Sequence, residues 1–185
     1  MNNPINPTPL KRLSFTGHIH LIKSDEDMRT IAEVLKSAKE LGFDTETKPS
    51  FKKGEVYKVA MLQLATETDA YVIRLHYLNN FEVLKNILEN KDVLKVGVAI
   101  RDDLKQLQKV FKFNPQNFIE LQTVAKAKGL KNFGLKSMCE EVLQATISKG
   151  PKMTNWEAQV LTAQQITYAA TDAWMGLILF KKIKS

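Results

Sequence analysis

The sequence predicts one α/β domain built on a mixed sheet, and three observations carry that reading. Its 185 residues are the usual length of one domain, too short for a second independent core. Runs rich in β-formers gather in the first half of the chain, with helical segments between them. The last third is helical, punctuated by Gly129, Gly134, Gly150 and Pro151.

Taken in order, residues 1–14 hold Pro4, Pro7 and Pro9 among Asn and Thr, and read as an extended tail ahead of a domain over 15–185. Phe15 to Ile22 alternates as a strand, with Ile19 and Leu21 on one face. Ser24 is placed as a helix N-cap, and Asp25, Glu26 and Asp27 follow in the first turn, where the helix dipole favours anions. Met28, Ile31, Ala32, Val34, Leu35 and Ala38 then give helical spacing to about Lys39. Leu41–Thr45 is a short apolar strand, followed by the basic loop Lys48–Gly54. Tyr57–Ala65 and Ala70–Leu75 read as a hairpin across Thr66-Glu67-Thr68-Asp69. Helices are expected at about 79–89, 101–111, 119–127, 134–143 and 163–182, with a strand at 93–98. There is no internal repeat and no low-complexity stretch.

Composition narrows the function classes. Hydrophobic residues at 44% and charged residues at 25% are ordinary for a globular protein, and no apolar run reaches bilayer length. The N-terminus lacks the basic-then-apolar order of a secretory signal. Cys139 is the one cysteine, so an intrachain disulfide is excluded and a Cys-based zinc site is not expected. A reducing, cytoplasmic setting follows as the expectation. The formal charge of +7 favours polyanions, nucleic acid above all, and no membrane association is expected.

Three segments carry chemistry. Phe43-Asp44-Thr45-Glu46 ends a short strand, and side chains two apart share a face, so Asp44 and Glu46 lie roughly 6–7 Å apart along it. Two carboxylates at a sheet edge suit a hard cation, although a lone Asp-x-Glu also reads as a solvated strand end. In Val96 to Leu104 a strand passes into a helix whose start carries Asp102 and Asp103. Compensation of the helix dipole explains one of them, worth a few tenths to about one kcal/mol, while the other can face the sheet edge. Tyr168 and Asp172 stand at i and i+4 in the final helix, on one face of a segment otherwise dense in Ile, Ala, Trp and Leu. An acid in a packed helix needs a partner, either a bound cation or a nearby Lys or Arg.

The ordered set Asp-x-Glu, Asp, Tyr-x-x-x-Asp resembles the DEDD superfamily of 3′→5′ exonucleases, in the subgroup with tyrosine in the last motif. The likeness extends to Gly42–Glu46, Lys58–Leu64, Lys95–Val98, Phe118–Leu121, Gly134–Cys139, Asn155-Trp156 and Leu161–Ala173, and so covers about residues 15–183. It is most similar to the Werner syndrome exonuclease domain, and more distantly to ribonuclease D and the proofreading domain of family A DNA polymerases.

This resemblance implies a ribonuclease-H-like fold, a mixed and roughly five-stranded sheet flanked by helices. It implies hydrolysis of phosphodiester bonds at nucleic-acid 3′ ends with two divalent cations, Mg²⁺ or Mn²⁺, releasing nucleoside 5′-monophosphates. Asp44 would bridge the cations, Glu46 and Asp172 would complete one site, and Asp103 rather than Asp102 would hold the other. Tyr168 would orient the attacking water. Expected substrate contacts are Thr45, Phe51, Lys52, Met61, Lys149, Lys152 and Trp156. Ser50 stands where the family often has a wedging leucine, so Phe51 or Met61 is expected to stack on a terminal base instead. His18 and His20 are read as surface or core residues, and Trp156 and Trp174 also serve as packing anchors. Single-stranded or 3′-recessed DNA is the favoured substrate, with a ribonuclease D-like RNA exonuclease and a catalytically silent nucleic-acid-binding module as the alternatives.

Overall fold

The computed structural model describes residues 9–48, 57–150 and 154–185. Among them the strands are β1 (Lys11–Leu13), β2 (His18–Ile22), β3 (Glu40–Thr47), β4 (Val59–Ala65), β5 (Asp69–Arg74), β6 (Leu94–Gly97), β7 (Phe118–Glu120) and β8 (Ala145–Ile147). The helices are α1 (Asp25–Ser37), α2 (Glu82–Leu88), α3 (Ile100–Leu107), α4 (Leu121–Ala127), α5 (Leu135–Leu143) and α6 (Ala163–Lys184).

Every residue of β4 is buried, as a strand covered on both faces must be, and it lies inside the sheet. The six-stranded order is β2-β5-β4-β3-β6-β7. β4 pairs antiparallel with β3 and β5, whereas β2, β6 and β7 join parallel to their neighbours, so the sheet is mixed. Alternation then assigns the faces. Phe43, Leu62, Leu64, Tyr71 and Ile73 pack with Met28, Ile31 and Leu35 of α1, Leu84 and Ile87 of α2, and Ile100 and Leu107 of α3. On the other face Ala60, Met61, Ala65 and Val72 meet Ala169, Ala170 and Ala173 of α6. Farther along, Met175, Leu179 and Phe180 of α6 close a third cluster with α4 and α5. Each fully buried Leu, Ile or Phe stabilises the fold by roughly 1.5–3 kcal/mol, so these clusters fix where the helices lie.

Two expectations are refined. The tail assigned to residues 1–14 contains a strand: β1 pairs in parallel with β8, Lys11 opposite Ala145, and Leu13 packs on the third cluster. The sheet gains a sixth strand because Phe118–Glu120, read as the start of a helix, extends beside β6 before α4 begins. Among the described residues no helix is long and apolar enough to cross a membrane.

Candidate active site

The site forms where β3 runs out from under α6. Asp44 and Glu46 point to the α6 side of β3, opposite Gln63 and Met61 of β4, and the register breaks just beyond, between Glu46 and Thr47. α6 starts at a capping box: the Thr162 hydroxyl accepts from the Gln165 amide at 3.2 Å, while the Gln165 side chain accepts from the Thr162 amide at 2.8 Å. Tyr168 and Asp172 follow one turn apart on the face turned to β3. Helix and strand approach backbone to backbone, for a Cβ on Gly42 would lie 1.9 Å from the Ala173 carbonyl oxygen. That approach brings carboxylate oxygens of Asp44, Glu46 and Asp172 within 4.8 Å of one another. Asp44 and Asp172 are the polar walls of a cavity of about 140 Å³ that Phe43, Val98 and Leu135 also line.

The third segment reaches this cluster from the opposite face of β3. Ala99, in the left-handed region at φ 59°, turns the chain into α3, and the Glu120 carboxylate accepts from the amides of Ala99 (2.9 Å) and Ile100 (2.8 Å). Glu120 also accepts from the Gln122 amide, so one carboxylate caps both α3 and α4. α3 held in this way presents Asp103, which accepts from the Thr45 hydroxyl at 2.8 Å. Asp102 stands exposed and pairs with Lys105 at 3.3 Å. Of the two aspartates, Asp103 is therefore the one turned toward β3, although its oxygens are not among those that lie within 4.8 Å of one another.

The electrostatics show a site short of positive charge. Burial, then Asp172, Glu46 and Asp103, holds the Asp44 carboxyl well above the usual carboxylate range. Burial and the acids Asp172 and Asp103 push Glu46 up to about 8. Asp172 rises to about 7 through burial, although the Tyr168 hydroxyl donates to it. Asp103 is raised by burial, against the stabilising Thr45 bond. The Tyr168 phenol moves up through burial and the adjacent Asp172, so it stays protonated at neutral pH. Among the described residues none of the four acids makes an ion pair with Lys, Arg or His. Like charges this close stay ionised together only with added cations, and an all-oxygen donor set fits a hard divalent ion.

The expected substrate contacts divide. Phe51, Lys52 and Lys152 lie outside the described residues. Thr45 is committed to Asp103. Lys149 is exposed and, with Arg12, lines a cavity of about 300 Å³ beside Tyr168. Met61 is corrected: it is 0% exposed on the sheet face beneath α6 and offers no surface to a base. Trp156 is likewise 4% exposed and stacks on Tyr168 with centroids 6.2 Å apart, so it backs the phenol and is not an open platform. Lys48, just after β3, reaches Glu157, the neighbour of Trp156, at 3.9 Å. His20 bonds Asp69 at 2.8 Å and stacks on Tyr71, away from the acids.

One residue that sequence reasoning missed is Arg74. Buried at the end of β5, it donates to the carbonyls of Ala158 and Gln159 and so anchors the loop that carries Trp156. The available signal was a charge at the end of an otherwise apolar strand.

Solved structures repeat this architecture. The Aedes aegypti Nibbler EXO domain matches with a TM-score of 0.84 over 93% of this chain and 91% of that one, at 24% identity. Escherichia coli RNase D matches with a TM-score of 0.81 over 90% of this chain and 44% of that one, at 27% identity. The protein is thus of the ribonuclease-H-like class, with a carboxylate centre over its sheet. More narrowly, it belongs to the 3′-5′ exonuclease family, whose model matches residues 19–185. Its relatives include the mouse bifunctional 3′-5′ exonuclease/ATP-dependent helicase WRN, 36% identical over 149 residues, which are 77% of this chain and 11% of that protein. An Arabidopsis thaliana 3′-5′ exonuclease is 31% identical over 78% of this chain and 52% of its own length. The chain thus spans between about a tenth and a half of these two relatives.

Proposed function

We propose that residues 15–185 act as one 3′→5′ exonuclease domain that removes nucleoside 5′-monophosphates from DNA 3′ ends with two divalent cations, Mg²⁺ or Mn²⁺. The observation that supports this most is the carboxylate cluster of Asp44, Glu46 and Asp172, uncompensated by any basic side chain among the described residues and covered by a protonated phenol. Asp44, Glu46 and Asp172 would hold one cation, with Asp44 shared and Asp103 serving the other. Bound cations supply a more acidic water and relief of charge on the phosphate and the leaving oxygen.

The chain's own groups do the rest. Tyr168, fixed by its bond to Asp172 and by the Trp156 ring behind it, offers a hydroxyl that orients the attacking water. The water oxygen, its proton released to solvent, bonds to phosphorus as the bond to the 3′-oxygen of the preceding nucleotide breaks; that oxygen takes up a proton as a 3′-hydroxyl, and the terminal nucleotide leaves with its 5′-phosphate. Thr45 holds Asp103 across the strand, and Lys149, with Lys52 and Lys152 on the strength of the sequence resemblance alone, meets substrate phosphates.

DNA is proposed because the chain resembles the Werner-type exonuclease domain more than ribonuclease D, at 36% identity to the mouse exonuclease/helicase against 28% to Escherichia coli ribonuclease D. The RNase D likeness supports a second reading, an RNA-processing exonuclease. Specificity constants on matched single-stranded DNA, 3′-recessed DNA and RNA test the choice: DNA cleaved faster supports the first reading, and RNA cleaved faster replaces it. Retention of all five site residues speaks against a silent binding module.

A further inference from the structure

Gln63, in the middle of β4, is 0% exposed, and neither its Oε1 nor its Nε2 has a hydrogen-bond partner among the described residues. Its neighbours on that face are Met61, Ala65 and Val72, under the alanines of α6, where an apolar residue would pack without leaving polar atoms unpaired. Packing therefore gives no reason for an amide there. The register does. Gln63 stands directly opposite Asp44 in the antiparallel pair, and side chains so placed share a face with Cβ atoms roughly 4.5–5.5 Å apart. A Gln side chain is long enough to span that gap, although in this structure it makes no bond to Asp44.

We propose that Gln63 is a positioning residue for Asp44: its side-chain N–H, which makes no bond in this structure, donates to one Asp44 carboxylate oxygen once bound cations keep that carboxylate ionised, and so fixes the other oxygen toward them. The inference rests on the reading of Asp44 as a cation ligand. It differs from the family's acids and tyrosine in that Gln63 touches neither cation nor substrate. Ligating carboxylates are commonly held by such outer hydrogen bonds, which set both their direction and their affinity for the ion. Gln63 suits this task because its amide is neutral, so it steers Asp44 without competing for the carboxylate charge as a lysine would. Its burial keeps water from replacing it.

The test uses the full chain, stripped with EDTA and titrated with Mn²⁺ while free Mn²⁺ is followed by electron paramagnetic resonance. Gln63→Met keeps the volume and removes both polar atoms, and Gln63→Leu is a second apolar replacement. The expected result is Mn²⁺ affinity weakened on the order of 10- to 100-fold in both. In EDTA the melting temperature should not fall, since no bond within the cation-free fold is lost. With saturating Mn²⁺, kcat should decrease while KM for the oligonucleotide is unchanged. Affinity within about twofold of the parent overturns the proposal. So does a melting temperature lowered in EDTA with affinity retained, which would make Gln63 part of the framework only. A parent protein that binds no Mn²⁺ removes this proposal together with the two-cation reading.

Discussion

Gly42→Ala is the substitution whose consequence can be worked most fully from the packing. The added methyl would sit 1.9 Å from the Ala173 carbonyl oxygen, 2.7 Å from its carbon and 3.3 Å from the Leu177 Cβ. The first two are backbone atoms of a packed helix, so no side-chain rotation relieves the clash. β3 and α6 must part locally by about 1 Å before the contact reaches even the shortest tolerated separation. Overpacking of this kind costs about 1–3 kcal/mol. For a chain of this length that is a fall in melting temperature of roughly 2–12 °C. The same movement draws Asp172, the neighbour of Ala173, away from Asp44 and Glu46, whose oxygens now lie within 4.8 Å of it. A displacement of that size at a reacting centre can cost about 100-fold in rate. Differential scanning fluorimetry and kcat on a 5′-labelled oligonucleotide measure the two effects. A variant with parental melting temperature and full turnover would refute the close approach of strand and helix on which the site depends.

Tyr168→Phe should keep the carboxylates and lose only the oriented hydroxyl, so measurable turnover remains; turnover as low as that of Asp44→Ala would give the phenol a larger role. In EDTA, Glu46 at about 8 and Asp172 at about 7 bind protons more tightly than their ordinary 4.5 and 3.8. The folded protein then holds more protons than the unfolded chain, a contribution fully present below about pH 4 and lost as the pH rises through 7 and 8. The EDTA-treated protein should therefore melt at a lower temperature at about pH 8.5 than at about pH 6, with Mg²⁺ or Mn²⁺ restoring more at the higher pH; the opposite slope contradicts the cluster's electrostatics. Arg74→Met removes the donors from the Ala158 and Gln159 carbonyls, a loss of about 1–3 kcal/mol that should expose residues 155–162 to limited proteolysis and lower kcat. Unchanged protease resistance would show that the loop does not depend on Arg74.

What could be read from the sequence was whatever depends on local geometry. Period two places Asp44 with Glu46, and period 3.6 places Tyr168 with Asp172, wherever the strand and the helix end up. The Ser24 cap and the Thr66–Asp69 turn were equally local, and both are present. Strands of three residues, such as β1, β7 and β8, are too short to show a period, so β1 was absorbed into a tail, β7 into a helix, and β8 was given no element. Met61 was misassigned because its exposure is decided by α6, a hundred residues away in sequence. The selection of Asp103 over Asp102 depended on the family pattern, and its physical basis is Thr45, across the strand. Gln63, Arg74 and Glu120 carried no periodic signal, since each acts on a segment distant in the chain.

The most direct test of the central claim is a time course on 5′-labelled single-stranded DNA with Mg²⁺, Mn²⁺ or EDTA, with Asp44→Ala run alongside. The account predicts a ladder that shortens from the 3′ end in either metal, releases nucleoside 5′-monophosphates, and is absent with EDTA and in the variant. Oligonucleotides left intact by the parent protein in every metal while still bound, or a ladder that Asp44→Ala produces equally well, would contradict it.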